Sequence, residues 1–307
     1  MHYTLHQLQV FAKVVQSKSI TKASKELHMT QPAVSIQLKN FQDQFDIPLT
    51  EVIGRQLYVT DFGMEIFKMA ERVIDEVYAI NYKTMSYKGH LSGRLKISCV
   101  STGKYVIPYF LSGFLKGQQG IELVMDVTNK SKVIESLENN AVDFALVSLL
   151  TDKLAIDKVE LMPNKLYVVG NREKKFKNIV HDQKILDQLP MIFREQGSGT
   201  RIVMEAFIAK NKLPVNKKME LSTNEAVKQA LIAGLGYSIM PLIGIKNELL
   251  NKDLQIINVK GFPLKSTWHL IWLKHKKFSP VGEAFLDYIR KEKDKIISEQ
   301  FEWFNKY

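Results

Sequence analysis

The chain predicts an α/β protein that begins with a helix-rich, wing-bearing unit, and three observations carry that expectation. Residues 19–45 read as two short helices joined by a tight turn. A seven-residue apolar repeat runs along one long segment after residue 61. Beyond residue 93, strand-like and helix-like stretches alternate.

Taken in order, Leu5, Leu8, Phe11, Val14 and Val15 form the apolar stripe of a first helix, with Lys13 and Lys18 in water. Thr21 is placed to cap the next helix, whose Ala23 and Leu27 face inward at i,i+4. Met29-Thr30 interrupts the pattern, and Gln31-Pro32 restarts it with proline where a missing N–H costs nothing. Val34, Leu38, Phe41 and Phe45 then share one stripe, and Gln31, Ser35 and Lys39 share a separate polar one. An apolar back with amide, hydroxyl and ammonium groups in front is what a reader of the DNA major groove needs. The competing reading is an ordinary amphipathic pair in a helical bundle.

Ile47-Pro48 ends the helical pattern, and β-prone stretches on either side of Gly54-Arg55 predict a two-stranded wing with Arg55 near its tip. Thr60-Asp61 caps a long helix expected from about residue 62 to 87. Along it Ile66, Ala70, Val73, Val77 and Ile80 recur with steps of four and three, a heptad seam that predicts a homodimer; packing against its own chain is the alternative. Residues 88–93, with two glycines, read as a linker. Strands are then expected at 94–100, 121–127 and 143–148, with helices around 105–117 and 130–139, a βαβαβ run that argues for a parallel sheet covered on both faces. A second run begins at 166–170 and continues with strands at 191–193 and 237–240 and helices near 200–212 and 223–234. A strand at 267–274 and a helix from Pro280 towards the end close the pattern. Two α/β lobes, with the chain crossing near 162–165 and returning near 262–266, accommodate all of it.

The chain has 307 residues, 45% hydrophobic and 24% charged, the profile of a globular protein. No stretch approaches the roughly 18 apolar residues of a membrane span, and the first fifteen residues read as an amphipathic helix, not a signal sequence. Together with a single cysteine, Cys99, these point to a cytoplasmic protein without disulfides or membrane partner. The seven histidines are scattered without ligand spacing, so no metal and no other cofactor is expected. The net charge of +11 is uneven: residues 1–40 carry +4, residues 41–90 carry −3, and +10 lies beyond residue 90. Positive charge around the helix pair fits a phosphate-facing surface; the later excess fits an anionic ligand or solvated lysine faces.

Taken together, residues 5–41 (LHQLQVFAKVVQSKSITKASKELHMTQPAVSIQLKNF), LYVTDFG at 57–63 and NEAVKQALIAGLGYSIMP at 224–241 resemble the LysR-type transcriptional regulators over essentially the whole length. STGKYVIPYF (101–110) and REQGSGTR (194–201) are most similar to the CbbR/RbcR branch, whose members respond to small anionic metabolites of carbon metabolism. The resemblance implies a winged helix-turn-helix over 1–61, a dimerising linker helix over 62–88 and a periplasmic-binding-protein-like effector domain over 91–307. Lobe I of that domain would comprise 91–162 plus 267–307, and lobe II 163–266. It further implies double-stranded DNA as partner, a homodimer or homotetramer, and RNA polymerase as a further contact. The expected DNA-facing set is Thr21, Thr30, Gln31, Pro32, Ala33, Ser35, Gln37, Lys39 and Arg55. The chain departs from the family pattern at Ile36, where an arginine is usual, at Thr50 and Val52 in place of phenylalanine and arginine, and at Phe41 and Asp46.

In a two-lobed α/β domain, small ligands bind in the crevice at the carboxyl ends of the strands. Ser101 and Thr102 follow the first strand, with Lys104 in the same turn. Asn129 and Ser131 follow the second and Ser148 the third. From the other lobe Ser198, Gly199, Thr200 and Arg201 open a helix, and Asn224 begins a later one. Hydroxyls, free N–H groups and a guanidinium fork in such an array suit a small carboxylate or phosphate effector. Cys99, inside an apolar strand, reads as a buried structural residue. Ser198 lacks the strand-elbow context of a nucleophile, and no acid/base constellation accompanies it, so an enzyme is not expected. A solute-binding module of similar two-lobed fold is the alternative function; the N-terminal 90 residues argue against it.

Overall fold

The computed structural model describes residues 3–54, 56–86, 91–174, 176–177 and 179–307. They form two compact units, Met1–His90 and Leu91–Tyr307.

In the first unit, α1 (Leu5–Ser17) opens with a reciprocal cap. The Gln7 N–H donates to the Thr4 hydroxyl at 3.2 Å, and the Thr4 N–H donates to the Gln7 side chain at 2.8 Å. The next helix, α2 (Ile20–Glu26), is capped by Ser19 and not by Thr21: the Ser19 hydroxyl accepts from the Lys22 N–H, and its carbonyl already accepts from Ala23. Both residues are good caps, and Ile20, which also packs on the core, moves the helix start two residues earlier. Thr30 caps α3 (Gln31–Gln42), with Pro32 in its first turn. Val34, Leu38 and Phe41 are buried against α1, with the Phe11 and Phe41 rings 5.1 Å apart. Strands β1 (Thr50–Ile53) and β2 (Gln56–Val59) pair antiparallel as the wing, and Gln42 ties it to α3 by accepting from the Thr50 hydroxyl at 2.6 Å. Arg55 lies outside the described residues.

Helix α4 (Asp61–Ser86) starts against the wing. A Cβ on Gly63 would stand 2.0 Å from the Leu49 carbonyl oxygen, so only glycine allows this approach. The expected seam divides here. Ile66 and Ala70 pack, with Ile74, into the core of their own unit, because α1 crosses the first half of α4. Val73 and Ile80 remain 47% and 66% exposed and Val77 is half-buried. Met69, 58% exposed, aligns with Val73 and Ile80 at i, i+4, i+11.

The expected linker is described only from residue 91, and Ser92 and Gly93 already belong to β3 (Ser92–Val100). A 3-10 turn (Gly103–Tyr105), α5 (Ile107–Leu115), β4 (Gly120–Thr128), α6 (Lys130–Glu138) and β5 (Phe144–Val147) follow. β3 pairs parallel with both β4 and β5, the expected βαβαβ unit. The chain then enters β6 (Ile156–Asn171), a single 16-residue strand where the sequence pattern places only 166–170. Pro163 masks its continuity. In the sheet Pro163 faces Thr267, beside a register shift, where a missing N–H is tolerated.

Next come a 3-10 segment (Gln183–Gln188), β7 (Met191–Arg194), α7 (Gly199–Lys210), β8 (Lys217–Leu221), α8 (Asn224–Ile232), β9 (Ser238–Pro241), α9 (Lys246–Leu250), β10 (Leu254–Ile257), β11 (Leu264–Leu273) and α10 (Pro280–Phe301) with a final 3-10 turn (Glu302–Lys306). The large sheet runs β10-β6-β11-β5-β3-β4, with β9 also on β6, and it is mixed: β11, β10 and β9 all run antiparallel to their neighbours. β7 and β8 form a separate parallel pair. Strands β6 and β11 pair over most of their length and carry the chain between the lobes. One apolar core fills lobe I and reaches α8, and a second lies under β9, β10 and α7 in lobe II.

Candidate functional site

A cleft lies where strand ends of the two lobes meet. Lobe I supplies Val100, Ser101 and Thr102 from the end of β3, Asn129 and Lys130 from the start of α6, and Ser148 after β5; lobe II supplies Arg194 from the end of β7 and Ser198, Gly199 and Thr200 from the start of α7. Seven of the expected effector residues are therefore brought together: Ser101, Thr102, Asn129, Ser148, Ser198, Gly199 and Thr200. Val100 is the one large apolar side chain of the lining, so the cleft offers hydrogen bonds and charge rather than apolar area.

Arg194 is its centre. It is 4% exposed, its Nη2 donates to the Ser101 hydroxyl at 3.1 Å across the lobes, and its Nε and Nη2 donate to the Glu195 carboxylate at 2.8 and 3.0 Å. A guanidinium held at fixed angle on a strand end is pre-organised for a planar or tetrahedral oxyanion. Lys130 adds a second cation: its Nζ donates to the Leu150 carbonyl at 2.9 Å, and burial pulls its pKa below the ordinary lysine range. The N-cap of α7, Ser198, makes no capping hydrogen bond with its side chain, and the first-turn N–H groups of that helix are unpaired within it. Asn129, by contrast, spends its carbonyl oxygen capping α6, accepting from the Lys132 N–H at 3.1 Å.

Four expected residues stand elsewhere. Arg201 turns away from the cleft: its Nε donates to Glu205 at 2.6 Å, and its Nη1 donates to Glu220 at 2.7 Å and to the Arg194 carbonyl at 3.0 Å. Those bonds, from Glu205 first, hold its pKa above the ordinary guanidinium range. Lys104 lies over the Tyr105 ring, 5.0 Å from its centroid. Ser131 packs on Gly197, where its N–H donates to the Gly197 carbonyl at 3.3 Å; a Cβ on Gly197, whose φ is +84°, would stand 2.7 Å from the Ser131 hydroxyl. Asn224 is fully buried beside Tyr105 and Gly244 at the start of α8. Sequence reasoning missed Arg194 and Lys130. Both obey the strand-end rule used for their neighbours, Arg194 as the last residue of β7 and Lys130 as the first of a helix.

Cys99 is buried within β3, the strand that ends at the cleft, and burial pushes its thiol up to about 12, in keeping with a packing residue. Among the described residues no cluster of histidine, cysteine or carboxylate side chains could hold a metal ion, and no helix is long and apolar enough to cross a membrane.

On α3, Gln31, Pro32, Ser35 and Lys39 are exposed, Ala33 and Gln37 are half-buried, and Thr21 and Thr30 are exposed at the starts of α2 and α3. Ile36, 56% exposed, stands on the same helix. The helix therefore buries its apolar stripe and presents the polar one.

Residues 5–64 match the family described as "Bacterial regulatory helix-turn-helix protein, lysR family", and residues 88–294 match the LysR substrate binding domain. The chain belongs to the LysR family of bacterial transcriptional regulators. It is 36% identical to the HTH-type transcriptional activator CmpR of Synechocystis sp. over 93% of this chain and 94% of that protein. It is also 32% identical to a RuBisCO operon transcriptional regulator of Allochromatium vinosum, over 95% and 97%. Among solved structures, the regulatory domain of Synechocystis CcmR in complex with 2-PG covers 66% of this chain and 98% of its own, at 30% identity and a TM-score of 0.63. Full-length CbnR complexed with its target DNA covers 94% and 99% at 18% identity and a TM-score of 0.69, a likeness of fold. The relatives thus place this LysR-family chain with the CbbR-like branch, and its two units are the DNA-binding and effector-binding parts of such a regulator.

Proposed function

We propose that the interlobe cleft of this regulator binds a compact anion with a phosphate or carboxylate group, of the class of 2-phosphoglycolate, and that occupancy changes its affinity for operator DNA. One observation carries this: Arg194, buried, and Lys130, half-buried, converge with the hydroxyls of Ser101, Thr102, Ser148, Ser198 and Thr200 on one polar cleft. The 2-PG complex of the 30% identical CcmR domain supports the same class. Calorimetry with 2-phosphoglycolate, with and without operator DNA, tests it. Coupling is reciprocal, so a ligand that shifts operator affinity must itself bind with shifted affinity to the DNA complex. Equal affinity in both states would remove the allosteric role.

For the DNA-binding unit the proposal is a dimer, or a pair of dimers, that places one α3 in each of two half-sites, with Gln31 and Ser35 on base edges and Lys39 on phosphate. Exposed Ile36 fits contact with a thymine methyl, where an arginine would meet the backbone. Gln31→Ala or Ser35→Ala is expected to cost about 1–3 kcal/mol on the specific site and almost nothing on random duplex. An equal loss on both in a gel-shift titration would show that these residues read no bases.

A further inference from the structure

Glu195 is not among the residues that line the cleft, yet its carboxylate is bonded twice to the central guanidinium, at 2.8 and 3.0 Å. Its backbone is fixed on both sides: the Glu195 N–H donates to the Leu221 carbonyl at 3.1 Å, and the Glu195 carbonyl accepts from the Ser198 N–H at 3.2 Å. The carboxylate, 19% exposed, is thus a built-in counter-ion that cannot leave without breaking two charge-assisted bonds. The lining carries two formal cations, Arg194 and Lys130, and no carboxylate; with Glu195 counted, the net charge at the site falls by half.

We infer that Glu195 is a specificity-determining residue that sets the charge of the effector, matching the cleft to anions of low charge and against multiply phosphorylated ones. The inference rests on the anion-site reading above. Its logic is electrostatic. The attraction of a site for an anion grows with the product of site and ligand charge, whereas the desolvation cost grows more steeply with ligand charge alone. Lowering the site potential therefore lowers the ligand charge at which binding is best.

The test uses the full-length protein and three probes on one carbon skeleton. 2-Phosphoglycolate carries roughly three negative charges at pH 8, 2-sulfooxyacetate has the same shape with one charge fewer, and glycolate retains the carboxylate alone. Calorimetry on Glu195→Gln, which keeps the shape and removes the charge, is expected to show tighter binding for every probe. The gain should be roughly three- to tenfold per ligand charge, largest for 2-phosphoglycolate and smallest for glycolate. Glu195→Ala, which opens the position to water, should give the same order, and Glu195→Asp should return the order to that of the parent. A purely structural role would lower affinity for all three probes or change it equally, and either result overturns the inference while leaving the anion site in place. If parent and variants alike bind none of the probes, the anion-site reading fails and the inference falls with it.

Discussion

Arg194→Ala is expected to abolish measurable 2-phosphoglycolate binding while leaving the fold intact. The substitution removes the cation at the centre of the cleft and strands the Glu195 carboxylate that its Nε and Nη2 hold. Losing one partner of a buried, hydrogen-bonded charge pair costs about 2–5 kcal/mol, and at about 3 kcal/mol the affinity falls more than a hundredfold. Arg194→Lys should recover little, because an ammonium cannot hold Glu195 and Ser101 and still present a donor to the ligand at the same angle. Arg201→Ala is the discriminating control. Its bonds run to Glu205, Glu220 and the Arg194 carbonyl, so it should lower the melting temperature, at a cost of about 1–3 kcal/mol, and change ligand affinity far less. Calorimetry beside thermal melts separates the two. Loss of binding in Arg201→Ala with binding kept in Arg194→Ala would reverse the assignment.

Val73→Glu is expected to dissociate the proposed dimer. Met69, Val73 and Ile80 form the exposed apolar line of α4, and a pairing surface built on them would bury the new carboxylate without a partner, at a cost of several kcal/mol per ion. Sedimentation should show half the mass, and operator footprints should fade with it. Ala70→Glu should behave differently. Ala70 is 2% exposed in the core that α4 shares with α1, so a charge there should melt the DNA-binding unit itself. If Val73→Glu keeps its mass, the line on α4 faces no second copy.

The contrast between Ala70 and Val73 also shows where sequence was enough. Spacing found the apolar repeat on α4 but could not say which half meets α1, since burial against the same chain and against another chain select the same residues. The same limit governs Arg194 and Arg201. Both carry the right chemistry in REQGSGTR, and only the geometry shows that one ends a strand at the cleft while Glu205 and Glu220 draw the other away. Local signals were strong where the chain is locally determined. The apolar stripe of α1, the parallel β3, β4 and β5 with their helices, and the strand-end hydroxyls of Ser101, Thr102 and Ser148 all follow from short windows. Strands β8 and β10 were not legible, because paired lysines at 217–218 and a four-residue length leave no clean alternation. Strand β6 was shortened at Pro163, whose tolerance depends on a partner strand a hundred residues away.

That uninterrupted ribbon has a mechanical consequence. A hinge made of loops lets two bodies swing freely, whereas β6 and β11 carry their ladder of hydrogen bonds from one lobe into the other. Such a connector works as a flexure: it yields by changing twist over several residues, it stores little strain at any one peptide, and it returns to a single rest angle. The irregularity between Thr267 and His269 is its softest point, since one rung of the ladder is out of step there. Rotation of one lobe against the other must therefore twist this ribbon, and an elastic return to one rest position is the expected behaviour of such a connector.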